Sequence, residues 1–260
     1  DRTVFCKVKD IDRRVRQGDA SKRDKAMTND WLRFIDHYTK NNTKNPFFGF
    51  IFYDDLHAMT LPKGSKAPFQ PTWKYPQYEK LSNDFDYTEF LNLYKNIAYF
   101  EDSLVNVVLT DLKKKGLFEN TIIIVTGDHG QEFNDNKKNY WGHNGNFSRA
   151  QVGVPFMVYW KEKGKEVFNH WTSHYDIVPT LMKEVLGCTN PFDDYSIGKN
   201  LFDEKELKWL VVGSYDNFAI IDSSTITSVY YDGSFDVTDH NLNLLGQQSF
   251  DVKTYDQVFR

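Results

Sequence analysis

Cysteine is nearly missing from this chain, with only Cys6 and Cys188 in 260 residues. The two lie far apart, without CxxC spacing and without a flanking histidine cluster, which argues against a structural zinc site. Two readings stay open: one long-range disulfide in an oxidising compartment, or two buried thiols. Long apolar runs are missing as well. No stretch approaches the roughly 20 residues of a membrane-spanning helix. The opening, "DRTVFCKVKDIDRRVRQGD", lacks the apolar core of a signal peptide and reads as the start of a domain cut from something longer. Neither sign of charge dominates: 32 Lys and Arg face 36 Asp and Glu, for a net charge of −4. Nucleic-acid binders usually carry a basic excess, so no nucleic-acid partner is expected. Internal repeats and low-complexity tracts are also lacking.

What is there is enough for a sizeable core: 40% of the residues are hydrophobic and 16% aromatic. Met27, Trp31, Phe34, Ile35 and Tyr38 recur at helical spacing and predict an amphipathic helix over Ser21–Tyr38. "FFGFIFY", Phe47 to Tyr53, predicts a strand covered on both faces. Leu61 to Asn83 carries Pro62, Pro68, Pro71 and Pro76 and predicts an extended surface loop. Leu91, Tyr94, Ile97, Ala98, Leu104, Val107, Val108 and Leu112 trace one stripe of a long helix over Tyr87–Lys115, ended by a basic turn and Gly116. Then follow the strand "TIIIVTG", a polar loop from Asp128 to Gly145, the buried strand "VPFMVYW" and a helix over Asp176–Leu186. The alternation predicts an α/β domain with a largely parallel sheet flanked by helices, covering residues 1–205. Beyond it, "KWLVVGSY", "FAIID", "ITSVYYDG" and "SFDVTD" predict a small antiparallel sheet over 206–260.

In parallel α/β sheets ligands bind beyond the carboxyl ends of the strands. Two of the apolar strands end in acids and histidine, the first in Asp54, Asp55 and His57, the second in Asp128 and His129. His143 sits in the loop "NYWGHNGN" between Gly142 and Gly145. Adjacent strand residues point to opposite faces, so Asp128 and His129 can share an ion only where the chain is turning. Gly127 and Gly130 permit that turn. Asp and His together suit Zn²⁺ or Mn²⁺. An Asp after a strand also serves as a cap or turn residue, and His57 and His143 each read as a substrate contact or as an ordinary surface residue.

The stretch "NTIIIVTGDHGQEF…YWGHNGNFSRAQVGVPFMVYW…TSHYDIVPTLM" resembles the sulfatase-like branch of the alkaline phosphatase superfamily over most of Phe47 to Leu201. "SHYDIVPTLM" followed by "DDYSIGKNLFD" is more similar to the YejM/PbgA-type inner-membrane proteins of Gram-negative bacteria, and less to lipoteichoic acid synthases. The resemblance implies that Asp128 and His129 are paired ligands of a divalent metal, Mn, Zn or Ca. It implies that His57 and His143 contact the substrate's phosphate or sulfate, and that Asp176, Pro179 and Thr180 open a helix. It also implies a domain at the periplasmic face of the bacterial inner membrane, acting on phosphate or sulfate esters or binding anionic lipid, and held to the membrane by an upstream segment.

Catalysis in that superfamily uses a Ser, Thr or formylglycine nucleophile and further acidic ligands. The formylglycine motif does not occur here, since Cys6 precedes "KVKD" and Cys188 precedes "TNPF". The nucleophile and remaining ligands are expected upstream of Asp1. The alternative expectation is a non-catalytic periplasmic domain that serves envelope or lipopolysaccharide homeostasis.

Overall fold

The structure, a computed structural model, describes residues 19–41, 45–203, 207–246 and 250–258. The chain forms two compact units, Asp1–Ile123 together with Tyr159–Lys161, and Ile124–Val158 together with Glu162–Arg260.

The first unit is helical. Helix α1, Ala20–Lys40, starts where the Asp19 side chain accepts the Lys22 amide, one of the amides a helix start leaves without a partner. After it come the one-turn helix α2, Asp55–Ala58, and the long helix α3, Thr88–Lys114. Phe90, Leu93, Ile97, Phe100, Leu104, Val108 and Leu112 form the buried stripe of α3, at steps of three and four residues. Gly116, at φ +67°, turns the chain after it. Ile35 of α1 meets Val108 and Leu112 of α3, and Trp31, Phe34, Phe47, Ile51, Leu117, Phe118 and Ile123 pack around them. The proline-rich loop is pinned rather than loose. Asn96 of α3 accepts from the Phe69 amide and donates to the Phe69 carbonyl, Asn92 donates to the Pro71 carbonyl, and Trp73 stacks on Phe90.

The predicted strand Phe47–Tyr53 is not a strand and is not covered on both faces. Phe47 and Ile51 face the α1–α3 cluster, while Phe48 and Phe50 are 85% and 78% exposed. The two-residue alternation of an extended chain is present, but no strand of the described residues pairs with it. A continuous apolar run shows that both faces are to be covered, not which part of a protein covers them.

In the second unit, β1 (Ile123–Thr126) pairs with β4 (Phe156–Tyr159). The "VPFMVYW" strand is also less buried than predicted, with Met157 and Val158 exposed. The polar loop between them folds into a hairpin of β2 (Glu132–Phe133) and β3 (Trp141–Gly142), followed by the one-turn helix α4, Arg149–Val152. Helix α5, Ile177–Glu184, is entered through a 3₁₀ turn at His174–Asp176. Asp176 is structural there: its carboxylate accepts the Ser173 and Lys199 amides, both at 2.7 Å. The C-terminal antiparallel sheet runs in the order β5 (Trp209–Gly213), β6 (Asn217–Asp222), β7 (Ile226–Tyr230), β8 (Phe235–Thr238) and β9 (Leu244–Leu245). A short helix α6, Val252–Val258, follows.

The boundary expected between residues 205 and 206 lies outside the described residues. Packing does not separate the sheet from what precedes it. Ala219, Ile221 and Ile226 share one core with Phe147, and Val152 and Trp171 pack against it. Cys6 also falls outside the described residues, and Cys188 is a free thiol 3.6 Å from Asn190 Oδ1.

Candidate functional site

Strand β1 stops at Thr126, and the turn begins at Gly127. Asp128 Oδ1 accepts the backbone amide of His129 at 3.0 Å, a local turn bond. His129 Nδ1 lies 2.8 Å from the carbonyl oxygen of Gly130. A carbonyl only accepts, so Nδ1 carries the proton, and in the neutral ring Nε2 holds the lone pair. A bond of this kind from the far ring nitrogen to a carbonyl commonly orients a metal-bound imidazole. Nε2 stands 3.8 Å from Asp128 Oδ1, so the two side chains converge on one point as the turn required.

Gly130 is glycine for a steric reason. A Cβ there would lie 2.2 Å from the Ala150 carbonyl oxygen and 2.9 Å from that of Gly153. The Gly130 amide donates to the Gln151 carbonyl at 2.7 Å, which ties the turn to α4.

His143 follows Gly142, whose φ of +104° only glycine adopts readily. Its ring stacks on that of His129, with centroids 4.0 Å apart and planes 27° apart. Its Nδ1 lies 3.3 Å from Gln131 Oε1. Stacked rings present faces to each other, so His143 is placed as a neighbour of the Asp128–His129 point and not as a further ligand to it. Among the described residues no group of three or more His, Cys, Asp or Glu is arranged to hold a metal ion. Asp128 and His129 fit a divalent cation as a carboxylate–imidazole pair.

His57 belongs to the first unit, at the end of α2, 3.9 Å through Nδ1 from Asp54 Oδ1. Asp54 is also paired with Arg23. The start of α2 is held by acids of two other helices. Asp24 of α1 accepts the Asp54 and Asp55 amides, and Glu101 of α3 accepts the Leu56 amide at 2.8 Å. Asp55 is 0% exposed, and neither of its carboxylate oxygens has a hydrogen-bond partner among the described residues. Burial first, then the charges of Asp24 and Glu101, push the Asp55 carboxyl up to about 7; the Thr60 amide, outside hydrogen-bond geometry, offsets only part of this. Burial likewise pushes Glu101 up to about 7, against the Leu56 hydrogen bond, and raises Asp24.

The structure therefore brings Asp128, His129 and His143 together in the second unit and places His57 in the first. Sequence reasoning passed over Glu132, Asn146 and Gln151, which frame the His143 loop, and His174, whose Nε2 is 3.2 Å from Thr126 Oγ1. It also passed over the Asp24–Glu101 support of α2. These contacts join residues far apart in sequence, and no spacing rule connects them. The doubled acid at Asp54–Asp55 was the visible signal.

Comparison with known proteins places these features. A solved protein of the alkaline phosphatase superfamily from Vibrio parahaemolyticus shares the fold, with a TM-score of 0.59 and 16% identity, over 90% of this chain and 51% of that one. The fold of this chain is thus similar to that of this solved protein. A family model described as Sulfatase matches residues 1–187, and the chain belongs to the sulfatase family. An uncharacterized protein of Haemophilus influenzae is 32% identical over 137 residues, 50% of this chain and 22% of that protein. The inner membrane protein YejM of Salmonella typhimurium is 26% identical over 139 residues, 53% of this chain and 23% of YejM. The chain thus spans about a quarter of the length of these relatives. No helix among the described residues is long and apolar enough to cross a membrane.

Proposed function

We propose that this chain is part of a metal-dependent hydrolase or transferase acting on phosphate or sulfate esters at the periplasmic face of the inner membrane. The observation that carries the reading is the Asp128–His129 turn, in which Nδ1 is committed to the Gly130 carbonyl and Nε2 converges with a carboxylate. Asp128 and His129 would hold the cation, with Mn²⁺, Zn²⁺ and Ca²⁺ as the candidates. Bound there, a divalent ion would supply charge that lowers a nucleophile's pKa and offsets charge developing on the ester's oxygens. The chain's own groups do the rest. His143, braced on His129 and on Gln131, orients the esterified group. His57, with Asp54 beside Nδ1, is read as a contact to the substrate's phosphate or sulfate. The location rests on the likeness to a protein named as an inner membrane protein.

The test is hydrolysis of chromogenic phosphate and sulfate esters by the full-length protein with each added metal. The proposal expects turnover that a chelator removes and that one of the ions restores. Chelator-insensitive turnover, or none with any ion, contradicts it.

One observation favours a second reading, a non-catalytic domain that binds anionic lipid or a membrane partner. Phe48, Phe50 and Phe52 form an exposed aromatic row, with Phe50 and Phe52 stacked, and such a surface is normally covered by a ligand or partner. Binding to anionic vesicles without ester turnover would favour this reading.

A further inference from the structure

Glu132 has no place in the chemistry described so far, yet it is among the most deeply buried side chains of the molecule, at 0% exposure. We infer that Glu132 is a positioning residue for His143: it grips Gln151 and Asn146, and these hold the loop that lays the His143 ring against His129. The inference rests on the reading that these two rings face the reacting group.

The connection can be followed bond by bond. Glu132 Oε2 accepts from Gln151 Nε2 at 2.6 Å and from Asn146 Nδ2 at 2.8 Å. Gln151 Oε1 in turn accepts the backbone amides of Gly145 at 2.9 Å and Asn146 at 3.2 Å. Asn146 Oδ1 accepts the Ser148 amide at 2.8 Å. The main-chain carbonyl of Gln151 accepts the Gly130 amide at 2.7 Å. Gln151 therefore ties down Gly130, next to His129, and Gly145, two residues after His143. Glu132 fixes the orientation of that side chain. It also acts directly, since its ladder partner across the hairpin is Gly142, the residue before His143. Gln131, the residue before β2, places its amide oxygen 3.3 Å from His143 Nδ1.

The carboxylate is satisfied at one oxygen and costly at the other. Glu132 Oε1 is buried without a hydrogen-bond partner among the described residues, and such an atom costs free energy. An apolar side chain of similar volume would avoid that cost but leave the Gln151 and Asn146 amide donors without this acceptor. What an apolar side chain lacks is an acceptor that takes two amide hydrogens at once, and those two bonds orient the loop.

The experiment uses the full-length protein with isotope-labelled histidine rings, read by NMR. His143→Ala identifies the His143 signal. Glu132→Ala is expected to move that signal to the position of a solvated histidine, with loss of the shift caused by the stacked His129 ring. Glu132→Gln keeps an oxygen that can take both amide hydrogens and is expected to leave the signal at its wild-type position. Gln151→Met breaks the connection one step further on and is expected to act as Glu132→Ala does, which decides the matter should Glu132→Ala fail to fold. A wild-type His143 signal in folded Glu132→Ala or Gln151→Met protein overturns the inference, as does Glu132→Gln moving the signal as far as Glu132→Ala. Titration of the same wild-type sample with Zn²⁺ separates the two claims: absence of binding sinks the metal reading and leaves the His143 measurement standing.

Discussion

The bond from His129 Nδ1 to the neighbouring carbonyl decides which ring nitrogen can serve as a ligand. His143 stands differently, with its face against His129 and its Nδ1 toward Gln131. Its loss should therefore spare the cation and damage the reaction. His143→Ala is expected to lower kcat by about 10²-fold or more while metal affinity changes less than about tenfold; steady-state kinetics and metal titration on one preparation check this. Asp55 and Glu101 make a separate prediction. Unfolded, their carboxyls titrate at about 4; folded, both are pushed up to about 7. Between those values the folded state holds more protons than the unfolded one, so stability falls as pH rises through this window and levels off above it. Asp55→Asn removes one buried charge that forms at high pH. Thermal unfolding should show the variant more stable than wild type at pH 8, by on the order of 1–3 kcal/mol, with the gain shrinking as pH falls below about 7 and gone only below about pH 4.

Among the elements, the hairpin β2–β3 and the turn of α4 form the scaffold of the site, and Gly130 lies against the backbone of Ala150 and Gly153. Gly130→Ala would put a methyl group 2.2 Å from the Ala150 carbonyl oxygen. The expected cost is about 1–3 kcal/mol of stability, together with a displaced His129, read by chemical denaturation and by metal titration. The long helices were legible in the sequence, because a stripe repeated over many turns leaves little choice. The turn at Asp128–Gly130 was legible because glycine spacing and strand-end chemistry coincide there. The hairpin was not, because two-residue strands carry no period. Phe47–Tyr53 misled for another reason: its pattern records an extended chain with two apolar faces, and the described residues cover only the face of Phe47 and Ile51.

Across the whole molecule, the C-terminal sheet was legible as short antiparallel strands but not in its packing. The core it shares with Phe147, Val152 and Trp171 depends on contacts that a change in sequence texture near residue 206 hides. Ile226 sits in that core at 2% exposure. Ile226→Ala is expected to cost about 2–5 kcal/mol and, through Phe147, to loosen the loop that follows His143; denaturation and the His143 NMR signal would report both. The sulfatase family match and the proposed ester chemistry agree. That agreement turns on a cation at Asp128 and His129. The most direct test is divalent-ion titration of the full-length protein beside its Asp128→Ala variant. The variant is expected to lose the site, with affinity lowered at least about 100-fold and the fold unchanged. Binding of the same number of ions with the same affinity by the variant would contradict it.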